Sequence, residues 1–163
     1  MLIIEIIILC AAFFALCFLG TGTDEKNLKS YASYPDEVQK RIREVDEYQG
    51  KYHEANKLVI WLANLVVFLI LFLILFMIFG AFIREKDFMQ NFINLLILGQ
   101  ALNIFDLLVI DLLWWRNTKR IRLSKVPEKV LYQNPKKHIK TFLRAIPMYI
   151  FVAAVDGYLL TLF

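Results

Sequence analysis

Four long apolar runs, separated by strongly polar stretches, set the pattern of this chain. A bilayer's hydrocarbon core is about 30 Å thick and a helix rises about 1.5 Å per residue, so about 20 mostly apolar residues make one crossing. The first run is Leu2–Gly20, interrupted by Glu5. The second is Leu58–Ile83, with Asn64 its one strongly polar side chain. The third, Phe88–Trp115, carries Gln90, Asn91, Asn94, Gln100, Asn103, Asp106 and Asp111. The fourth is Thr141–Phe163, with Arg144 near its start and Asp156 deep inside. None alternates with the two-residue period of a strand, and backbone polar groups in lipid must be satisfied within the segment. The pattern therefore predicts an all-α integral membrane protein: a four-helix transmembrane bundle forming one domain over residues 1–163. The first run has no Lys or Arg at its start, so it reads as a retained helix and not as a signal peptide.

The polar stretches carry their own pattern. In the loop 21–57, Pro35 suits a first helical position, with Ser33 or Tyr34 as cap. Asp36 and Glu37 then complement the positive end of the helix dipole. Val38, Ile42, Val45 and Tyr52 recur at helical spacing. This predicts an amphipathic helix over Pro35–Gln49, able to continue through Gly50 into the second span. Its narrow apolar stripe suits packing on the mouth of the bundle better than binding a partner. In the loop 116–140, Asn134-Pro135 reads as the cap and first residue that launch the fourth helix.

Composition and charge sharpen the picture. Hydrophobic residues make up 59% of the chain, more than one soluble core of this size would bury. Lys and Arg number seven in the loop 21–57, nine in the loop 116–140 and two in the loop 84–87. With four spans the first and third loops share a side, which the positive-inside rule makes cytoplasmic. Both termini and the loop 84–87 then lie outside, and the expected location is the plasma membrane, the inner membrane of a bacterium. The loop 116–140 has nine basic residues against the one acid Glu128. Beyond its role as topology signal, Arg116, Lys119, Arg120, Arg122, Lys136 and Lys137 are positioned to meet anionic lipid. No recognition fold accompanies the charge, so a nucleic-acid partner is not expected.

Ionisable groups within a span are costly and usually face the protein interior. By depth, Glu5, Asn91, Asn94 and Asp156 form a candidate outer cluster. Asn64, Asn103, Asp106, Asp111, Arg116 and Arg144 form a candidate inner one, with Arg144 the natural partner for an aspartate. At 100° per residue, Asn91, Asn94, Gly99, Asn103 and Asp106 lie on one half of the third helix. Asp111 points about 140° away from Asp106 on a straight α-helix, which counts against a paired-carboxylate metal site. Asn and Gln of this span also suit interhelical hydrogen bonding.

Cys10 and Cys17 sit seven apart in the first run and read as apolar filler. His53 and His138 both fall in loops, which excludes an intramembrane haem held by two histidines. Serine occurs at Ser30, Ser33 and Ser124 alone, in loops, and no nucleophile has a base beside it. Neither a cofactor nor a metal site is expected. Trp61, Trp114 and Trp115 fit interfacial belts. The stretch Asn103-Ile-Phe-Asp106-Leu-Leu-Val-Ile-Asp111-Leu-Leu-Trp-Trp resembles the third span of small four-helix bacterial membrane proteins, a likeness that implies the same fold and no activity. Four helices leave little room for a private transport path. The expected function is an accessory, assembly or transport-related subunit of a membrane complex, or a homo-oligomer, with the polar third helix facing partners or a path. The alternative is an enzyme acting on a lipid or lipid-linked substrate at the cytoplasmic interface.

Overall fold

The computed structural model describes residues 1–53 and 57–162, without the side chains of Lys57, Ile60, Trp61 and Asn64. The positions expected for Trp61 and Asn64 side chains therefore lie outside the described residues. Six α-helices follow one another: α1 (Leu2–Leu19), α2 (Asp24–Lys29), α3 (Asp36–Glu44), α4 (Lys57–Ile83), α5 (Phe88–Phe105) and α6 (Lys136–Leu159). A π-helical segment, Asp106–Trp115, continues α5. No strand occurs among the described residues. Four stretches are long and apolar enough to cross a membrane: Leu2–Leu19, Leu65–Ile83, Phe88–Trp115 and Lys129–Leu162. The chain forms two compact units.

One unit comprises residues 1–10, 55–104 and 143–163. Helical spacing explains its core. On α6, Tyr149, Val152, Ala153 and Asp156 are buried along one face, and Leu160 in the 3₁₀ turn that follows extends it. On α5 the buried positions are Asn91, Leu95, Leu98, Gly99, Leu102 and Asn103. From α4 come Phe72 and Phe76, whose rings lie 4.7 and 6.1 Å from that of Tyr149. Gly99 makes room for this aromatic cluster, since a Cβ there would stand 2.8 Å from both Phe76 and Tyr149. The bulky exposed residues of α4, among them Leu62, Val66, Val67, Ile70, Ile74 and Ile78, give that helix the apolar outer surface a lipid solvent requires.

The other unit comprises residues 11–54 and 105–142. Its core draws on both long loops: Leu28, Tyr31, Tyr34, Val38, Ile42 and Tyr48 from the first, and Ile121, Leu123, Val126 and Tyr132 from the second, with Trp115. Tyr34 is fully buried and donates its hydroxyl to the carbonyl of Ile121 at 2.6 Å. Burial pushes this phenol well above its ordinary range, so it stays a neutral donor. The apolar stripe of α3 thus covers a local core. The helix itself is shorter than its sequence predicts. It begins after Pro35, which serves as the cap, and ends at Val45, whose extended backbone breaks it. A 3₁₀ turn follows at Asp46–Tyr48, and Gly50 at φ +75° then turns the chain, so α3 does not continue toward α4. Gly22 has φ +112°, and a Cβ there would collide with the guanidinium of Arg120.

Asp24 clamps the two loops together. Its carboxylate accepts from Tyr48 Oη at 2.6 Å and from Ser124 Oγ at 2.5 Å and backbone N at 2.9 Å. Burial alone would raise its pKa, but the bonds from Ser124 and Tyr48, with the charge of Lys125, outweigh it and hold the acid below the usual carboxylate range. A carboxylate depressed in the fold contributes stability above its unfolded pKa and loses it as pH falls through the folded value. Asp24→Asn should therefore lower the unfolding temperature at neutral pH and flatten its decline in acid, as read by thermal unfolding over a pH series in detergent. In the other unit, Gly99→Val should destabilise by about 2 kcal/mol through overpacking against Phe76 and Tyr149. The same thermal measurement checks it, and an unchanged midpoint would contradict the packing described.

Candidate functional site

The third apolar run is where polar chemistry concentrates, and the structure divides it at Asp106. Over α5, Asn91 and Gln100 act as glue within their own unit. Asn91 is buried; its amide receives the backbone N–H of Glu85 at 2.7 Å and donates to the Glu85 carbonyl at 2.8 Å and the Gly157 carbonyl at 3.4 Å. Gln100 donates to the carbonyl of Ile146 at 3.4 Å. Asn103 is buried and Asn94 half-buried.

From Asp106 the helix loosens into ten residues of π-helix. The i→i+5 bonding of a π-helix puts more residues into each turn than the i→i+4 bonding of an α-helix. Asp106 and Asp111 are five apart. The angle of about 140° expected of a straight α-helix does not apply on this segment, whose wider turns narrow it, and Asp106 lies within electrostatic range of Asp111 and His138. Runs of π-helix are rare and recur at functional sites, which singles out this stretch.

His138 completes the group. Its Nδ1 lies 2.8 Å from Asp111 Oδ1, with side chains only 7% and 14% exposed. The partner of Asp111 is thus an imidazole, not Arg144, which lies exposed on α6. The placing of His138 in a loop is corrected by the same finding. Asn134 accepts from the backbone N–H of Lys136 at 3.1 Å, and α6 starts at Lys136, five residues before the expected span. His138 therefore stands in the first turn of α6. The signal was present in Asn134-Pro135, which already placed a helix start ahead of it. The ring of Trp115 meets that of His138 edge-on at 6.1 Å. Nε2 of His138 is buried and has no hydrogen-bond partner among the described residues. Cys17 lies in the electrostatic surroundings of both aspartates. Among the described residues, no three His, Cys, Asp or Glu are arranged to hold a metal.

Arg116, the next residue, is half-buried, with Nε lacking a partner and its carbonyl accepting from Gln133 at 2.6 Å. The other basic residues of this loop differ in availability. Lys119 and Lys136 are exposed. Arg120 lies 3.9 Å over the Phe18 ring and donates Nε to the Phe18 carbonyl at 3.1 Å. Arg122 donates to the carbonyl of Asn117 at 3.3 Å. Lys137 is committed inward, donating to the Tyr34 carbonyl at 2.7 Å and pairing with Asp36 at 3.2 Å.

Glu5 and Asp156 belong to the unit built on α4 and α5. They are 4% and 0% exposed, and neither carboxyl has a hydrogen-bond partner among the described residues. No hydrogen bond joins them among the described residues. No family model, curated protein or solved structure matches this chain.

The Asp111–His138 contact makes a direct prediction. Removing one member of a buried pair leaves the other uncompensated, at about 3 kcal/mol. Asp111→Ala should lower the unfolding free energy by about that amount, and the loss should shrink in the double variant Asp111→Ala/His138→Leu. Strictly additive losses in this thermodynamic cycle would show that the two side chains do not interact.

Proposed function

We propose that this chain is a multi-pass membrane protein of the plasma membrane that serves as an accessory, assembly or transport-related subunit of a membrane complex. In this reading four helices insert as a bundle. The loops 21–57 and 116–140 face the cytoplasm, and the termini and residues 84–87 face outward. The single observation that carries it is the Asp106–Asp111–His138 group on an apolar span. Charged groups at such depth are expensive to keep and mark ion or proton paths or partner contacts. Asn91 and Gln100 of α5 are already bonded within the chain's own unit, which leaves the π-helical segment to serve a path or a partner. Lys119 and Lys136, with the arginines 116, 120 and 122, suit an anionic leaflet on the same side.

The test is the state of the chain in its own membrane. Gently solubilised, it should migrate in an assembly of fixed stoichiometry, either with a second membrane polypeptide or as a defined oligomer. Asp106→Asn should leave that assembly intact and fail to restore the growth or transport defect caused by deleting the chain. A chain that runs alone, with full rescue by Asp106→Asn, would overturn the reading.

A second reading, an enzyme acting on a lipid or lipid-linked substrate at the same interface, draws on one observation. Asp111 orients His138 through Nδ1 and leaves Nε2 without a protein partner, as in a positioned general base. Incubating the purified chain with total membrane lipid should then yield a new lipid product that His138→Gln abolishes; an unaltered lipid profile counts against it.

A further inference from the structure

We infer that the C-terminal end of α1 holds one anionic phospholipid, with an acyl chain in the groove lined by Phe14, Ala15, Phe18 and Leu19 and the phosphate on Arg120 and Lys26. This rests on the reading above for the membrane setting and for the shared side of the two long loops, and it needs no partner polypeptide.

Helical spacing makes the groove. Phe14 and Phe18, and Ala15 and Leu19, are each four residues apart and share one side of α1. The four side chains line a hollow of about 390 Å³, and none of them is polar. Trp114 packs beside it, with its ring 5.5 Å from that of Phe14 and 6.5 Å from that of Phe18. Ala15, Phe18 and Leu19 are exposed, so the hollow opens outward. It occupies the last turns of the apolar stretch Leu2–Leu19, where the surrounding solvent is lipid.

Two cations are fixed at the end of this groove, on consecutive carbonyls of residues that line it. Arg120 donates Nε to the Phe18 carbonyl at 3.1 Å, and Lys26 donates Nζ to the Leu19 carbonyl at 2.9 Å. The Arg120 guanidinium also lies 3.9 Å over the Phe18 ring. Capping the last carbonyls of a helix uses one donor of each cation. A guanidinium carries five N–H donors and an ammonium three, so most remain for a ligand. Neither cation pairs with a carboxylate among the described residues. The acids next to Lys26 in sequence are committed elsewhere, Asp24 to Tyr48 and Ser124, and Glu25 to Lys29 at 3.5 Å.

An apolar trough that ends on two uncompensated cations matches a phospholipid in both of its parts. The chain leaves its aliphatic length against Phe14, Phe18 and Leu19. The phosphate accepts charge-assisted hydrogen bonds from the guanidinium fork and the ammonium. Any lipid tail would fit the trough, but the cations favour a headgroup of net negative charge over a zwitterionic one, because no carboxylate offsets them.

The experiment uses the purified full chain in phosphatidylcholine nanodiscs, with Trp61→Phe and Trp115→Phe to leave Trp114, beside the groove, as the emitter. Phosphatidylglycerol with brominated acyl chains, a contact quencher, then replaces phosphatidylcholine in steps. Quenching should saturate at a low mole fraction and exceed that by brominated phosphatidylcholine at the same fraction. Lys26→Gln and Arg120→Gln should each reduce this preference about fivefold. Arg120→Lys, which keeps the charge, should retain more of it than Arg120→Gln. Ala15→Phe, which fills the groove from an exposed position, should leave quenching that only rises in proportion to mole fraction. Native mass spectrometry of the chain with all three tryptophans should retain one phosphatidylglycerol per chain, so the emitter variant does not decide the matter alone. Proportional quenching that is equal for the two lipids in the parent, together with no retained lipid, would overturn the inference. So would a preference that survives both Lys26→Gln and Arg120→Gln. Failure here leaves the complex-subunit reading standing. A chain that runs alone in its membrane while holding phosphatidylglycerol as described would fail that reading and keep this one.

Discussion

Two acids placed five residues apart on an apolar helix must point somewhere, and the hydrogen-bond register of the backbone decides where. In the α register they diverge and each needs its own counter-charge. In the π register of residues 106–115 the angle between them narrows, and an imidazole serves Asp111. The surrounding unit packs about the Asp111–His138 pair. His138 is held by the first turn of α6, which Asn134 caps, and it packs on Trp115. Trp115 in turn lies 5.7 Å from Tyr34, which ties the first loop to Ile121. A polar site in the apolar segment and a tyrosine-rich core outside it are thus parts of one packed unit.

The polar residues of the spans fall into different physical roles. Asn91 and Gln100 are satisfied by backbone carbonyls and hold helices together. Asp111 is satisfied by an imidazole. Glu5 and Asp156 are buried with no partner among the described residues. A carboxyl in that position is kept neutral or is completed by something outside the chain, because an unpaired buried charge is far more costly than either. Depth along the spans therefore says little about role. What separates glue from candidate chemistry is whether each oxygen and nitrogen already has a partner.

The four long apolar helices were legible in the sequence because their signal is local: length and hydropathy are carried by each segment alone. The start of α6 was legible too, since Asn134-Pro135 is a local cap signal. The site was legible only in part. Asp106 and Asp111 stood out as acids in an apolar run, but the π register that carries them and the pairing of Asp111 with His138 are encoded in no periodicity. His138 was hidden because a polar, basic stretch reads as loop. The tyrosine core was hidden for a related reason. Leu28, Tyr34 and Ile42 in one loop and Ile121, Leu123 and Tyr132 in the other form no continuous pattern, and they become a core only when two segments about ninety residues apart in sequence meet.

A distance measurement in lipid tests most directly whether the π register carries Asp106 and Asp111 toward one side of their helix. In bilayer-embedded protein labelled with ¹³C at the aspartate carboxyls, with the two signals assigned by substitution, solid-state NMR should show a dipolar coupling between Asp106 Cγ and Asp111 Cγ. It should also show Asp111 Cγ coupled to the imidazole of His138. Absence of the first coupling, with i→i+4 backbone bonding through residues 106–115, would place the acids on different faces and contradict the account.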